Sequence, residues 1–164
     1  MKTAGIVLCG GHSSRMGRPK ATLPFGPELM LQRVVRLVGQ AVDRVVVVAA
    51  EQQELPQLPA TVEIVQDRDP DRGPLEGLAA ALRTLQGRAD TAFATACDVP
   101  LLVPAFVSRV IQLCDGYQAA VPFIGGFAEP LAAAYSVDVL ASVESLLAEG
   151  RLRPALLCDL VPTR

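Results

Sequence analysis

Short runs rich in apolar residues alternate along the chain with longer stretches in which apolar positions recur every three or four residues. The short runs predict strands at residues 4–9, 44–50, 62–65, 91–97 and 118–122, and a further, antiparallel strand at residues 130–135. The longer stretches predict helices at residues 27–42, 74–85, 104–113 and 138–149, with Gly150 just past the last one. This alternation predicts a three-layer, Rossmann-like α/β fold whose sheet is mostly parallel, with one antiparallel strand.

The composition fits one domain over residues 1–164 with an aliphatic core. Hydrophobic residues make up 51% of the chain and aromatic residues only 4%, so Val, Leu, Ile and Ala must supply most of the core. A chain of 164 residues has the length of one domain and buries enough surface to fold without disulfides or structural metals.

Charge and cysteine usage restrict the partners and the compartment. The net charge is −2 and no run of Lys or Arg is present, so no nucleic-acid partner is expected. We also expect no membrane association, because no apolar run is long enough to cross a bilayer and no signal peptide is visible. The four cysteines are widely spaced without a CxxC pair, which indicates reduced thiols and a cytoplasmic location.

Three polar segments follow predicted strands, at residues 10–20, 67–77 and 97–100. In α/β domains, ligands bind outside the carboxyl ends of the strands. We therefore expect the functional site where these three segments meet.

The first of these segments has the residue types of a phosphate-binding loop. Gly10 and Gly11 allow backbone N–H groups to approach a phosphate chain, while Arg15 and Lys20 supply cations. Lys20 is one of only two lysines against 13 arginines, which indicates that an ammonium is required there. The spacing matches neither GxxxxGK[ST] nor GxGxxG, and the alternative interpretation is a loop with solvated charges, in which His12 is also expected to be solvated.

Two aspartates are candidate ligands at strand ends. Asp98 follows the strand at 91–97 and is placed to hold Mg²⁺ through a carboxylate oxygen, the alternative being a turn or helix-capping aspartate. Asp67 closes the strand at 62–65 and is predicted to bind a base or ribose hydroxyl or to support the metal, the alternative being an ordinary loop aspartate.

The glycines around the start of the helix at 74–85 are the last candidates. Gly73 and Gly77 would let a ligand approach the backbone, and the amides of a helix N-terminus suit anions. The alternative is that they only form the entry to the helix.

These motifs, taken together and in order, resemble the MobA-like nucleotidyltransferases. Residues 8–20 resemble the family's glycine-rich signature, and residues 73–77 resemble its second glycine motif. Residues 97–100 resemble its metal motif, and residues 129–131 with Tyr135 resemble its substrate-side strand. The resemblance covers about residues 4–136 and implies the nucleotidyltransferase form of the Rossmann-like fold.

Within that family the chain is most similar to the guanylyltransferases that act on the molybdenum cofactor. The pair Gly10-Gly11 favours this branch, because the cytidylyltransferase branch usually has Ala-Gly there. The resemblance implies that GTP and the molybdopterin form of the cofactor give the guanine dinucleotide cofactor and pyrophosphate. It also implies proteins that deliver or accept the cofactor as partners. The GTP contacts that it implies are Leu8, Cys9, Gly10, Lys20, Asp67 and Asp98, with Asp98 on Mg²⁺.

The expected mechanism is an in-line attack by the terminal phosphate of the pterin on the α-phosphorus of GTP. Arg15 and Lys20 would stabilise the triphosphate, and Asp98 would position the magnesium. Three alternatives stay open: the same chemistry with CTP, transfer onto a sugar phosphate, and a non-catalytic nucleotide-binding module. A NAD-binding domain is disfavoured because GxGxxG is absent.

The chain departs from the family pattern at three places. Pro19 stands where aspartate is usual, and Val48 stands where some members have an asparagine near the guanine. The usual Asn-x-Asn-Thr segment and last helix are not found before Arg164, so either the chain is truncated or its pterin side is built differently.

Overall fold

The computed structural model of the chain describes residues 1–10, 19–67 and 69–164. The strands in these ranges are β1 (Thr3–Leu8), β2 (Pro24–Phe25), β3 (Glu28–Leu29), β4 (Arg44–Ala50), β5 (Glu63–Asp67), β6 (Thr91–Ala96), β7 (Ala119–Ala120), β8 (Phe123–Ile124), β9 (Phe127–Ala128) and β10 (Ala132–Ser136). The α-helices are α1 (Met30–Gly39), α2 (Pro74–Leu85), α3 (Pro104–Leu113) and α4 (Leu140–Ala148). Short 3₁₀ turns cover Lys20–Thr22, Pro70–Arg72, Val137–Val139 and Pro154–Asp159.

The central sheet has the strand order β5-β4-β1-β6-β10-β7. β1 pairs in parallel with both β4 and β6, and β4 pairs in parallel with β5. β10 runs antiparallel to both of its neighbours, β6 and β7. The predicted fold class is therefore confirmed: the six-stranded sheet is mostly parallel and contains one antiparallel strand.

Helices cover both faces of this sheet because side chains of its strands alternate between two apolar faces. Ile6 and Leu8 point towards the cluster that contains α2 and α4, whereas Val7 points towards α1. Helix α3 packs on the same side as α1, over Phe93. The α1 helix lies so close to β1 that a Cβ on Gly5 would meet Val38 Cγ1 at 2.1 Å, so glycine is required there.

The predicted first helix begins later than its pattern indicates. The helix α1 starts at Met30 because the preceding residues form a hairpin of β2 and β3, with Gly26 at a φ of 61° in its turn. Pro27 therefore lies in that turn and does not open a helix. The start of α4 is also later than predicted, because a 3₁₀ turn over Val137–Val139 precedes Leu140.

The last residues of the chain extend the sheet beside β7. Gln118 N donates to the Pro162 carbonyl oxygen at 2.9 Å, and Val121 N donates to that of Arg164 at 3.0 Å. This pairing shields the edge strand β7.

Two predictions made from composition can be compared with the structure. All four cysteines are free thiols, as expected for reduced cysteines. In the parts of the chain that the structure describes, no helix has the length and apolar character needed to cross a membrane.

Candidate functional site

The site lies at the carboxyl end of β1, a central strand of the sheet. Backbone pairing continues one residue past the strand: Cys9 N donates to the Val48 carbonyl oxygen at 2.8 Å, and Cys97 N donates to that of Leu8 at 3.0 Å. The Cys9 side chain is only 8% exposed and packs in the same cluster as Cys97. Cys9 can therefore contact a ligand mainly through its backbone.

The side chain of Gln53, which the sequence analysis did not single out, holds the end of β1 in place. Gln53 Nε2 donates to the Cys9 carbonyl oxygen at 3.1 Å, and Gln53 Oε1 accepts from Ala50 N at 3.0 Å. Gln53 thus ties the end of β1 to the end of β4. Only the general expectation that polar residues after strand ends are functional could have pointed to it.

A cavity of about 80 Å³ opens between the ends of β1, β4 and β5 and the start of α2. Its lining consists of Leu8, Gly10, Val48, Asp67, Gly73, Pro74 and Gly77. A Cβ on Gly77 would lie 3.6 Å from Val48 Cγ1 and 3.7 Å from Asp67 Oδ2. A Cβ on Gly10 would also lie 3.7 Å from Asp67 Oδ2, so the missing side chains of both glycines leave room beside this carboxylate.

Asp67 is one of the few buried polar side chains of the described residues and is 4% exposed. Its Oδ1 accepts a hydrogen bond from Asp69 N at 3.0 Å. Burial raises the pKa of the Asp67 carboxyl, although the hydrogen bond from Asp69 N opposes this shift. Its second oxygen, which faces the two glycines, can accept hydrogen bonds from a ligand.

The start of α2 lines the same cavity through Gly73, Pro74 and Gly77. Gly73 precedes the helix at φ 73° and ψ −167°, which a residue with a side chain rarely adopts, and Pro74 follows at the first helical turn. The first N–H groups of a helix have no partner inside it. They carry the positive end of the helix dipole and favour an anionic or oxygen-rich ligand group.

Lys20 and Asp98, predicted to act together, form an ion pair in the structure. Lys20 Nζ lies 2.6 Å from Asp98 Oδ2, and the two side chains are 44% and 36% exposed. The hydrogen bond with Asp98 raises the pKa of Lys20, so the lysine stays protonated. Both groups remain accessible to a ligand from solvent.

The turn that carries Lys20 is fixed locally by its neighbours. Ala21 is buried against the α1 side of the sheet, and Thr22 Oγ1 donates to the Pro19 carbonyl oxygen at 3.1 Å. Pro19, the departure from the family pattern, thus supplies the acceptor that closes the turn.

Asp67 and Asp98 belong to two separate parts of the site. Asp67 is the last residue of β5 and Asp98 follows β6, and these two strands lie three strand spacings apart, or about 14 Å. This distance does not favour the prediction that Asp67 supports the metal. Among the described residues, no cluster of three or more His, Cys, Asp or Glu side chains is present.

Asp98 is therefore the carboxylate that fits a hard divalent cation. Mg²⁺ commonly binds proteins through one or two carboxylates, with water and substrate phosphates completing its coordination. A single accessible aspartate that contacts Lys20, at the end of the predicted phosphate-binding segment, matches that donor set.

Some residues of the motifs singled out in the sequence are not observed at the candidate site. Gly11, His12 and Arg15 lie at positions 11–18, outside the described residues. Tyr135 is completely buried, and its hydroxyl donates to the Pro130 carbonyl oxygen at 2.9 Å. Its role is to hold the 130–135 segment in place and not to contact a ligand directly.

Comparison with known proteins identifies relatives along nearly the whole chain. A profile described as the MobA-like NTP transferase domain matches residues 5–160. A protein of Mycolicibacterium paratuberculosis named "Probable molybdenum cofactor guanylyltransferase" is 37% identical over an alignment that covers 97% of this chain and 82% of that protein. A relative of the same name from Pelotomaculum thermopropionicum is 32% identical and covers 90% of this chain and 70% of that protein.

Solved structures share the fold at lower identity. The molybdopterin-guanine dinucleotide biosynthesis protein A of Archaeoglobus fulgidus superposes with a TM-score of 0.76 at 19% identity, covering 98% of this chain and 80% of that chain. A Mycobacterium tuberculosis protein in complex with manganese gives a TM-score of 0.68 at 20% identity and covers 99% and 86%. With its fold, its motifs and a profile match over residues 5–160, the chain belongs to the MobA-like NTP transferase family.

Proposed function

We propose that this chain is a molybdenum cofactor guanylyltransferase, which transfers GMP from GTP to molybdopterin-bound molybdenum cofactor and releases pyrophosphate. The observation that carries the proposal is the arrangement of the sheet edge. A small cavity that ends in Asp67 lies on one side of the Cys9–Gly10 backbone, and the Lys20–Asp98 pair lies on the other. An extended nucleoside triphosphate can span the two.

The cavity suits a flat base with hydrogen-bond donors at its far edge. Leu8 and Val48 provide apolar walls, and the buried Asp67 carboxylate is an acceptor. Guanine presents an N–H and an amino group side by side, which one carboxylate can accept together. Cytosine and adenine each present a single amino group beside acceptors, so they match this carboxylate less well. Val48 offers no polar group to the base, which leaves base selection mainly to Asp67.

The triphosphate would lie over the end of β1. Gly10 leaves the backbone open to approach, and Lys20 supplies a localised positive charge. Arg15 and Gly11 are proposed to complete the phosphate contacts, and the amides at Gly73 and the start of α2 are proposed to face the nucleoside.

Asp98 is proposed to hold a divalent cation, Mg²⁺ in the cell, against the phosphates. When bound, such an ion neutralises charge on the phosphates and on the leaving pyrophosphate. Manganese, the ion present in one of the similar solved structures, is a suitable spectroscopic probe for the same position. Since Lys20 Nζ contacts Asp98 Oδ2, the ammonium would compete with a cation for that oxygen and would turn towards the phosphates if the cation took it.

The reaction forms one P–O bond and breaks another. A terminal phosphate oxygen of the pterin attacks the α-phosphorus of GTP, and the bond to the β-phosphate oxygen breaks in line with it. The electron pair leaves with pyrophosphate, and no covalent protein intermediate is formed. Lys20 stabilises the negative charge that moves onto the leaving group, while the base cavity and the Cys9–Gly10 backbone align the nucleotide.

Nucleotide selectivity and product formation test the proposal. The melting temperature of the protein is measured with GTP, CTP, ATP and UTP in the presence of Mg²⁺ and again with EDTA. We expect GTP to give the largest increase and EDTA to reduce it. Addition of molybdopterin-bound cofactor should then release pyrophosphate and form the guanine dinucleotide. A preference for CTP, turnover only with a sugar phosphate, or binding without turnover would each replace the proposal by the corresponding alternative.

The reaction is proposed to take place in the cytoplasm, with partner proteins docked near the site. Four free thiols suit the reducing cytoplasm. The proteins that deliver the cofactor or accept the product would have to dock near the Lys20–Asp98 end, where the pterin phosphate reaches GTP.

A further inference from the structure

Arg33, a residue of α1 outside the site described above, is bonded to the loop that carries Asp98. Its Nε donates to the Pro100 carbonyl oxygen at 2.7 Å, across 67 positions of the chain. Pro100 lies two residues after Asp98. A short hydrogen bond from a guanidinium to a carbonyl is among the stronger ones, because the donor is charged.

The guanidinium of Arg33 is also held on its other sides. Its Cζ lies 5.0 Å from the centroid of the Phe25 ring, and its second nitrogen lies 3.3 Å from Glu28 Oε2. The side chain is 27% exposed, so most of it is packed. Arg33 is thus pre-positioned by the β2–β3 hairpin, and from this position its Nε donates to Pro100.

The loop after Asp98 has few other polar anchors of its own. A turn closes where Leu102 N donates to the Val99 carbonyl oxygen at 3.1 Å. Val99 and Leu102 pack against the cluster under α1, while Leu101 is largely exposed. Proline at position 100 has no backbone N–H to contribute. The Pro100 carbonyl oxygen is therefore the acceptor through which α1 can hold this loop in place.

We propose that Arg33 is a positioning residue for Asp98: through Pro100 it fixes the backbone of the metal-binding loop and so sets the affinity of the site for the divalent cation. The proposal rests on the proposed role of Asp98 and deepens it. Arg33 itself contacts neither the metal nor the phosphates. Removal of a group that orients a metal ligand typically lowers metal affinity by about 10–100-fold.

The chain offers a closely matched control for this proposal. Arg36, one turn further along α1, binds the same carboxylate of Glu28 through its Nε at 2.7 Å. Among the hydrogen bonds and ion pairs of the described residues, Arg36 bonds to Glu28 and makes none with the 98–102 loop. An Arg36→Gln variant therefore loses a charge and the Glu28 contact on the same helix, but it keeps the Arg33–Pro100 bond.

The experiment compares wild type with Arg33→Gln, Arg33→Lys and Arg36→Gln. Binding of Mn²⁺ to each protein with GTP present is measured by electron paramagnetic resonance, and the half-saturating Mn²⁺ concentration is measured for pyrophosphate release. We expect Arg33→Gln to weaken Mn²⁺ binding about tenfold or more and to raise the half-saturating concentration similarly. KM for GTP at saturating metal should change much less, and Arg36→Gln should resemble wild type.

Arg33→Lys keeps a positive charge near Pro100 but loses the planar donor geometry, so it should fall between Arg33→Gln and wild type. If Arg33→Gln does not fold, as judged by its thermal transition, Arg33→Lys decides the outcome. Unchanged Mn²⁺ binding in the folded Arg33 variants, or an equal loss in Arg36→Gln, would overturn the proposal. If wild type itself binds no Mn²⁺ with GTP, the proposed function fails instead, so the two failures are distinguishable.

Discussion

Gly77 and Leu8 face each other across the proposed base cavity so closely that a Cβ on Gly77 would lie 3.2 Å from Leu8 Cδ2. The two residues come from different layers, since Gly77 is in α2 and Leu8 ends the central strand β1. The absence of a side chain at position 77 therefore determines how much of the cavity a ligand can use.

Substitution Gly77→Ala should weaken GTP binding while leaving the fold intact. The added methyl occupies the cavity beside Val48 and Asp67, and we expect an affinity loss of about tenfold, or about 1.4 kcal/mol. The helix gains about 1 kcal/mol in propensity, which offsets the crowding against Leu8 in part. Calorimetry with GTP and with inorganic triphosphate makes the check, because the methyl should affect only the ligand that carries a base.

Gly39→Ala is the control for this substitution. Gly39 is the last residue of α1, and a Cβ there would meet Val45 Cγ2 at an ordinary 3.7 Å. We expect it to bind GTP as wild type does. Equal weakening of GTP and triphosphate by Gly77→Ala would contradict the assignment of the cavity to the base.

Substitution Lys20→Ala should separate metal binding from turnover. Loss of a positioned charge in a comparable site lowers the rate by about 10²–10³-fold, which is about 2.7–4 kcal/mol of barrier. In the nucleotide-free protein, however, Lys20 competes with a cation for Asp98 Oδ2 at 2.6 Å. Mn²⁺ titration without nucleotide should therefore show equal or tighter binding in the variant, although its pyrophosphate release is slow.

Lys20→Arg is the matched variant, since it keeps the charge but not the compact ammonium. It should recover only part of the rate. A near-wild-type rate in Lys20→Ala would remove Lys20 from the catalytic residues, and weaker Mn²⁺ binding would show that the lysine helps to position Asp98.

Substitution Asp67→Asn should raise thermal stability at neutral pH and weaken GTP binding. Burial raises the pKa of Asp67 in the folded protein above the unfolded value of about 3.9. Between the unfolded and the folded pKa of Asp67, the folded state then binds more protons than the unfolded state. Wild-type stability therefore falls as the pH rises through this range. The asparagine does not titrate, and its side-chain oxygen can still accept from Asp69 N.

The stability advantage of Asp67→Asn should thus vanish near pH 4 and grow towards pH 7. Thermal unfolding of the ligand-free proteins across this range measures it, with Asp159→Asn as an exposed aspartate for comparison. A difference in melting temperature that does not change with pH would show that the Asp67 pKa is not raised.

The sequence pattern predicted the sheet and the edge at which the candidate site lies, for a physical reason. Strands that are buried on both faces must be apolar, so β1, β4 and β6 are visible as runs, and the polar residues that follow them mark the ligand edge. Lys20 and Asp98 could be predicted to meet because β1 and β6 were both expected to end at this edge.

Other contacts could not be predicted because they depend on packing across the chain. Arg33 reaches Pro100 over 67 positions, and Gln53 reaches Cys9 over 44, and neither pair leaves a periodic signal. The β2–β3 hairpin was missed because Pro27 is as typical of a helix start as of a turn.

Gln53 gives the sharpest test of how the end of β1 is held. Gln53→Ala leaves the Ala50 N–H and the Cys9 carbonyl without their partner, which should lower the free energy of unfolding by about 1 kcal/mol. Because Cys9 and Gly10 lie between the base cavity and the phosphate segment, GTP and inorganic triphosphate should both bind several-fold more weakly, unlike the base-selective loss in Gly77→Ala. Gln66→Ala, an exposed glutamine on β5, should change neither. If Gln53→Ala is destabilised but binds both ligands normally, the Cys9–Gly10 backbone does not line the phosphate path, and the nucleotide must cross the sheet edge elsewhere.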